Sequence, residues 1–100
     1  MSIRIDIPKD EVVEFCQRWR IKELAIFGST LRDDFRPDSD VDVLVVFEDA
    51  APWSLFDLVR AEEELGQTLG RKVDLVEKSA VRNPFRRHHI LSHCEVIYAA

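Results

Sequence analysis

Hydrophobic residues recur with a helical period in the first part of the chain. After Pro8, the residues Val12, Phe15, Cys16 and Trp19 stand at positions i, i+3, i+4 and i+7. This is the spacing of a helix that buries one stripe, and proline is well suited to the first turn of such a helix. The pattern predicts a first helix from Pro8 onward.

A second helical pattern opens at Ala51-Pro52. Its apolar stripe consists of Leu55, Leu58, Val59 and Leu65, and the polar residue Glu62 shares the same helical spacing. Ser54 and Asp57 have the spacing of a capping pair, in which each side chain accepts a hydrogen bond from the other residue's backbone. Gly66 or Gly70 can end the helix, because glycine adopts the left-handed conformation that closes many helices.

Three apolar runs predict strands. Residues 24–27 form an unbroken apolar run that stops at Gly28, residues 41–47 are rich in β-branched side chains, and residues 72–76 form a third run. Short runs of this composition, bounded by turn residues, are typical of buried strands. Asp42 and Asp74 are polar interruptions inside the second and third runs.

The last quarter of the chain has a weaker pattern. Residues 79–94 are predicted to be helical, with a break at Asn83-Pro84, and residues 95–98 are predicted to be a final edge strand. The resulting order is helix, strand, strand, helix, strand, helix, strand. It predicts an α/β (α+β) fold with a mixed β-sheet and flanking helices, because no regular alternation of strand and helix requires an all-parallel sheet.

Composition limits the classes of function. The chain has 100 residues, of which 46% are hydrophobic, enough for one domain over residues 1–100. It carries 14 Lys and Arg against 19 Asp and Glu, a net charge of -5, which disfavours direct binding to nucleic acid. Cys16 and Cys94 stand far apart and no apolar run approaches a membrane span, so we expect a reduced, cytoplasmic protein without a membrane partner.

Aspartates are concentrated at the start of the second strand. Five of the ten residues from 33 to 42 are aspartate, and Asp40 and Asp42 stand two positions apart, a spacing that directs both side chains of a strand to one face. Asp74 has the same setting in the next strand. Carboxylates gathered from neighbouring strands suit Mg²⁺ or Mn²⁺, which also take substrate phosphates as ligands.

A phosphate-binding turn is the expected neighbour of these acids. Gly28-Ser29 ends the first strand, where glycine lets a ligand approach the backbone and the next N–H groups and hydroxyl can hold a phosphate. A Gly-Ser pair alone is most often only a turn, and Asp-x-Asp alone is most often a solvated loop. The combination with a third strand aspartate is more specific than either part.

These residues resemble a known family. Gly28-Ser29, ten residues and then Asp40-Val41-Asp42 match the GS-x10-DxD signature of the DNA polymerase β-like nucleotidyltransferase superfamily. In its length the chain resembles the minimal nucleotidyltransferase (MNT) proteins, and the segment of residues 69–76 adds to the likeness. The resemblance implies a palm fold that binds a nucleoside triphosphate, here ATP, together with two Mg²⁺ ions or with Mn²⁺ in their place. It also implies transfer of a nucleoside monophosphate from that triphosphate to a hydroxyl group.

The resemblance also implies roles for individual residues. Asp40 and Asp42 match the two carboxylates that bridge the metal ions, and Asp74 matches the third, which is expected to bind metal and to accept the proton of the hydroxyl group. Gly28 and Ser29 match the contact to the outgoing phosphates. Nearby, Arg32 matches an arginine that neutralises phosphate charge.

Small proteins of this kind resemble the antitoxins of toxin-antitoxin pairs whose toxin is a HEPN-domain ribonuclease. The resemblance implies transfer of AMP from ATP to a tyrosine of that toxin. Two classes of function stay open: an adenylyltransferase that modifies its partner, and a binding module that inhibits the partner by forming a complex.

One segment of the chain is basic. Residues 82–93 contain Arg82, Arg86, Arg87 and three histidines. A solvated helix face is the ordinary explanation for such a segment. Contact with the nucleotide or with an acidic partner surface is the more specific hypothesis.

Overall fold

The computed structural model describes residues 7–28, 40–49 and 51–100. Within these ranges the regular elements are α1 (Lys9–Arg18), β1 (Ile21–Phe27), β2 (Val41–Phe47), α2 (Leu55–Leu69), β3 (Val73–Glu77), a 3-10 turn (Lys78–Ala80), α3 (Pro84–Ser92) and β4 (Cys94–Ala99). The predicted order of helices and strands is therefore confirmed.

The four strands form one mixed sheet in the order β3-β2-β1-β4. β1 pairs in antiparallel fashion with both β2 and β4. β2 and β3 are parallel, because α2 carries the chain back to the edge where β2 began. The predicted mixed sheet and the edge position of the last strand are confirmed.

The first helix forms where the hydrophobic pattern after Pro8 predicts it. Its N-cap is Pro8, two acidic residues occupy its first turn, and Arg18 stands in its last turn, an arrangement that complements the helix dipole. Val12, Phe15 and Cys16 are buried against the sheet. The indole of Trp19, which follows the helix, packs at the margin of the same core.

The second helix has defined ends. The Ser54 hydroxyl accepts a hydrogen bond from the Asp57 N–H at 3.3 Å, and an Asp57 carboxylate oxygen accepts one from the Ser54 N–H at 3.0 Å, which is the predicted capping box. Gly70 closes the helix with φ +69°, in the left-handed conformation. Of the two glycines proposed as its end, Gly70 is the correct one.

The start and the buried stripe of α2 differ from the prediction. The helix begins at Leu55 rather than at Ala51-Pro52, and it buries Ala61, Leu65 and Leu69. Leu55 and Val59 were expected in the stripe, but they are 69% and 52% exposed. The first turns of α2 are therefore exposed on the side of Leu55, Phe56 and Val59, which the helical period alone does not reveal.

The third helix is also shorter than the predicted segment. α3 begins only at Pro84, since the Asn83 side chain caps it by accepting hydrogen bonds from the N–H groups of Phe85 and Arg86. The residues before it form the 3-10 turn and an extended link. No helix of the described residues has the length and apolar character required to cross a membrane.

The two faces of the sheet are covered differently. The helical face packs against α1 and α2, and its buried side chains form the larger core, which includes Leu24, Ile26, Val41, Val43 and Val45 from the strands. The other face, which we call the carboxylate face, has a smaller buried cluster composed of Ala25, Phe27, Leu44, Val81 and Ile90. Ile90 is the residue that α3 contributes to this cover.

Candidate functional site

Two aspartates lie side by side on the carboxylate face. In the parallel pairing of β2 with β3, Asp42 is directly opposite Asp74. Because side chains alternate along a strand, both share a face with Leu44 and Val76 and lie opposite to Val41 and Val73, which are buried in the larger core. Asp42 is half-buried and Asp74 is exposed. The register places the two residues directly opposite each other, and their role in binding a metal stays a prediction.

Gly28 leaves the space that the Asp42 carboxylate occupies. Gly28 directly follows β1 with φ +72°, and β1 ends with Phe27 paired to Asp42. A Cβ atom at Gly28 would overlap Oδ2 of Asp42 and lie 3.1 Å from its Cγ. Glycine at this position is therefore required by the aspartate side chain as well as by the backbone conformation. The sequence indicated only that a ligand could approach here.

The register of the sheet extends this arrangement into a row of four residues. Phe27 pairs with Asp42 on one side and with Cys94 on the other, so Asp74, Asp42, Phe27 and Cys94 follow one another across the end of the sheet. Phe27 is 8% exposed and belongs to the smaller buried cluster. Asp42 and Asp74 thus lie at the end of the carboxylate face, next to the buried apolar side chain of Phe27. Phe27 and Cys94 were not among the predicted site residues, because only the pairing of β1 with both neighbours brings them there.

Asp40, the remaining predicted carboxylate, stands just before β2. Asp40 is exposed and directly precedes Val41, whose N–H donates to the Lys72 carbonyl at 2.9 Å. This hydrogen bond joins the starts of β2 and β3 and fixes the backbone next to all three aspartates. Ser29 and Arg32, which were predicted to bind the phosphates, lie outside the described residues.

The chemistry of this edge suits a hard divalent cation. Among the described residues, no three His, Cys, Asp or Glu side chains form a group that could hold a metal ion. Mg²⁺ is usually bound through one or two carboxylates and substrate phosphates rather than by an all-protein cage. The register pair of Asp42 and Asp74 supplies that number of oxygen ligands, and Gly28 keeps space beside them.

The two cysteines differ in environment. Cys16 is fully buried in the larger core, and burial raises the pKa of its thiol to about 12. Cys94 is half-buried, and its thiol pKa is also raised, mainly by burial and then by the charge of Glu23. A raised pKa keeps a thiol protonated and unreactive. Neither thiol therefore has the character of an activated nucleophile.

One cavity among the described residues lies away from the aspartates. A cavity of about 350 Å³ lies at the opposite end of β2 and β3, and its lining includes Phe47, Asp49, Trp53 and Glu77. The Trp53 indole N–H donates to the Trp19 carbonyl at 2.7 Å, which holds one wall in place. We assign the functional site to the aspartate edge, since the register pair of Asp42 and Asp74 and the glycine turn at Gly28 lie there.

The comparisons with known proteins identify the family of this chain. The family model described as "Nucleotidyltransferase domain" matches residues 10–97. The protein adenylyltransferase MntA of Thermococcus cleftensis is 41% identical over 70 residues, which are 70% of this chain and 69% of MntA. This identity is high enough, over a long enough part of both chains, to show common family membership.

Two solved structures share the fold. A chain in the crystal structure of a toxin-antitoxin with AMP-PNP superposes with a TM-score of 0.73 at 15% identity, covering 93% of this chain and 74% of that one. A chain in the structure of a tri-AMPylated Shewanella oneidensis HEPN toxin in complex with MNT antitoxin gives a TM-score of 0.65 at 14% identity, covering 92% and 70%. The resemblance first seen in the Gly-Ser and Asp-x-Asp residues is confirmed, and the chain belongs to the nucleotidyltransferase domain family.

Proposed function

We propose that this protein is a Mg²⁺-dependent antitoxin that transfers AMP from ATP to a tyrosine hydroxyl of a HEPN-domain ribonuclease and thereby neutralises it. The observation that carries the proposal is the in-register pair of Asp42 and Asp74 beside Gly28. Two carboxylates on one sheet face, next to a glycine turn, form the arrangement needed to bind a triphosphate together with a divalent cation.

The proposed reaction is a displacement at the α-phosphorus of ATP. The tyrosine oxygen forms a bond to that phosphorus, the bond from it to the oxygen bridging to the β-phosphate breaks, and pyrophosphate leaves. The hydroxyl proton passes to a carboxylate oxygen of Asp74, whose exposed position at the sheet edge leaves it open to an incoming substrate. AMP is then joined to tyrosine through a phosphodiester bond.

Asp42 and Asp74 would hold the metal from the sheet, and Asp40, which directly precedes β2, is proposed as a further ligand. When bound, Mg²⁺ would neutralise phosphate charge and lower the pKa of the attacking hydroxyl. Asp42 is positioned from both sides, by its pairing with Phe27 and by its pairing with Asp74. Gly28 and Ser29 are proposed to contact the outgoing phosphates, and Arg32 to offset their charge.

Relatives support the choice of partner. MntA is a protein adenylyltransferase, and one structural neighbour is an MNT antitoxin in complex with an AMPylated HEPN toxin. The net charge of -5 favours a protein over a nucleic acid as the acceptor. AMP-PNP in another neighbouring complex supports ATP as the donor.

The test uses a HEPN-domain ribonuclease encoded in the same genome. The two purified proteins are incubated with ATP and Mg²⁺, and the mass of the ribonuclease and its activity on RNA are measured. We expect a mass gain of AMP, loss of RNA cleavage, and loss of both effects with Asp42→Asn. Asp49→Asn is the matched control, because Asp49 is an exposed aspartate just beyond the other end of β2.

The same experiment tests the alternative of a binding module. Full inhibition of the ribonuclease by Asp42→Asn, with no change in its mass, would show that complex formation alone neutralises the partner. A mass gain on the partner that persists in Asp42→Asn would remove Asp42 from the proposed machinery.

A further inference from the structure

The α3 region is a basic surface on an acidic protein. From Lys78 to His93 the chain has no acidic residue, whereas it contains four Lys or Arg residues and three histidines. The whole chain has a net charge of -5. This segment is therefore locally positive on a chain that is negative overall, which is the condition for an electrostatic docking surface.

The packing of α3 determines which of these side chains face outward. Ile90, which is 5% exposed, packs into the smaller cluster of the carboxylate face. The Arg87 guanidinium donates to the carbonyls of Lys78 at 3.0 Å and Val81 at 3.3 Å, so this arginine fastens the helix to the preceding turn. Arg82 and Arg86 are exposed and remain available for external contacts.

A line of rings runs along the outer side of the same helix. Phe85, His89 and His93 are spaced four residues apart, and the rings of the two histidines lie 4.6 Å apart between centroids. Phe85 is 85% exposed. An exposed aromatic ring flanked by arginines has the composition of an interface centre, where aromatic and Arg side chains provide most of the binding energy. The α3 surface is defined here as Arg82, Phe85, Arg86, His88, His89 and His93.

The α3 surface leads directly to the candidate site. α3 ends at Ser92, and β4 begins at Cys94, which pairs with Phe27 next to Asp42. A macromolecule that lies along α3 thus extends towards the row of residues that carries Asp42 and Asp74. A substrate held there would have part of its surface beside the aspartates.

We propose that the α3 surface binds an acidic patch of the protein that is to be modified. In this complex Arg82 and Arg86 pair with carboxylates of the partner, and the Phe85 ring fills an apolar recess between them. The inference rests on the proposed function, since it assigns a docking surface for the same protein substrate.

The charge distribution favours a protein over RNA as the occupant. A nucleic acid would bring a continuous row of phosphates over a chain of net charge -5, of which the α3 surface and a cation bound at Asp42 and Asp74 would balance only a part. An acidic patch on a folded protein is local, so it can pair with Arg82 and Arg86 without extending over those carboxylates.

The test is a charge reversal with a matched control. Arg82→Glu/Arg86→Glu is compared with Lys9→Glu/Arg60→Glu, which makes the same change in net charge at exposed positions of α1 and α2. For each variant, kcat and KM for the HEPN ribonuclease are measured at saturating ATP. We expect KM to rise about tenfold or more for the α3 pair, with kcat retained, and little change for the control. Phe85→Ala should raise KM in the same way, and thermal melting checks that each variant is folded.

Each outcome has a defined meaning. Equal KM values for the two charge-reversal variants, with an active wild-type protein, would overturn the docking surface and leave the proposed function in place. An unchanged KM together with lost binding of a labelled single-stranded RNA 20-mer would identify the surface as an RNA site and also overturn it. A wild-type protein that neither binds nor modifies the ribonuclease would overturn the proposed function, and with it this inference.

Discussion

The two faces of the sheet differ in role, because the helical face holds the larger core and the carboxylate face carries the candidate site. On the helical face, α1 and α2 cover the strands, and fully buried residues such as Phe15, Leu24 and Leu65 interlock in one core. On the carboxylate face, a smaller cluster is covered by the 3-10 region and by α3, a helix of nine residues. Asp42 and Asp74 lie where this cover ends.

The reason for this division is the cost of burying charge. A carboxylate without compensating partners in a dry core costs several kcal/mol or takes up a proton. Around Val43 and Ile26, every strand residue that faces α1 and α2 is apolar. A carboxylate placed among these strand residues would therefore be buried without a compensating partner from them. The chemistry of the protein therefore has to stand at the end of the less covered face.

The largest expected difference between the faces is in thiol reactivity. Cys16 packs on the helical face and Cys94 at the margin of the other face. At pH 8 a thiol pKa of about 12 in place of 9.0 lowers the thiolate fraction of Cys16 about 1,000-fold, and the buried sulfur is reached only when the core opens. We therefore expect Cys94 to react with a disulfide reagent faster than Cys16, by about one order of magnitude or more.

The measurement is the time course of labelling, with the labelled cysteine identified by peptide mass. Cys94→Ser is the control, since it should leave only the slow phase. The raised pKa of Cys94 makes its own reaction slower than that of a free cysteine. Similar rates for the two thiols in the folded protein would contradict the closed core of the helical face.

The next difference is in the response of each core to truncation. Leu65→Ala removes a fully buried side chain between α2 and the sheet, and we expect it to lower the free energy of unfolding by about 3–5 kcal/mol. Ile90→Ala removes the α3 side chain from the smaller cluster, and we expect about 2 kcal/mol, because a thin cover can relax into the space.

Urea denaturation of both variants measures these values, provided that the slope of the transition stays unchanged. A loss in Ile90→Ala as large as that in Leu65→Ala would contradict the view that the carboxylate face contributes less to stability.

Local patterns predicted the parts of this molecule that depend on neighbouring residues in sequence. The capping box of Ser54 and Asp57, the Gly70 helix end and the interruption of β2 by Asp42 are all visible in short segments, and the structure contains them. The aspartate pair was also foreseen, since two strands of one sheet, each with an embedded acid, bring their acids together when the register allows it.

Features set by distant parts of the chain were not predicted. The exposure of Leu55 and Val59 depends on where the cover over α2 ends, and the place of Cys94 depends on the pairing of β4 with β1. The fit between Gly28 and the Asp42 carboxylate joins residues that are adjacent only in space. Helical period and strand composition carry no information about such contacts.

The smallest expected effect separates the two glycines with positive φ. Gly28 and Gly70 have φ of +72° and +69°, so alanine at either position introduces similar backbone strain, about 1 kcal/mol. At Gly70 a Cβ atom meets nothing within 4 Å, whereas at Gly28 it would overlap the Asp42 carboxylate. We expect the two variants to lose similar free energy of unfolding. Only Gly28→Ala should also displace the Asp42 carboxylate and lower the rate of adenylyl transfer several-fold below that of Gly70→Ala, because misplacing a catalytic group slows the reaction. Unfolding free energies and transfer rates of the two variants, measured side by side, test this. Equal activity in Gly28→Ala and Gly70→Ala would show that the Asp42 carboxylate does not need the space beside Gly28.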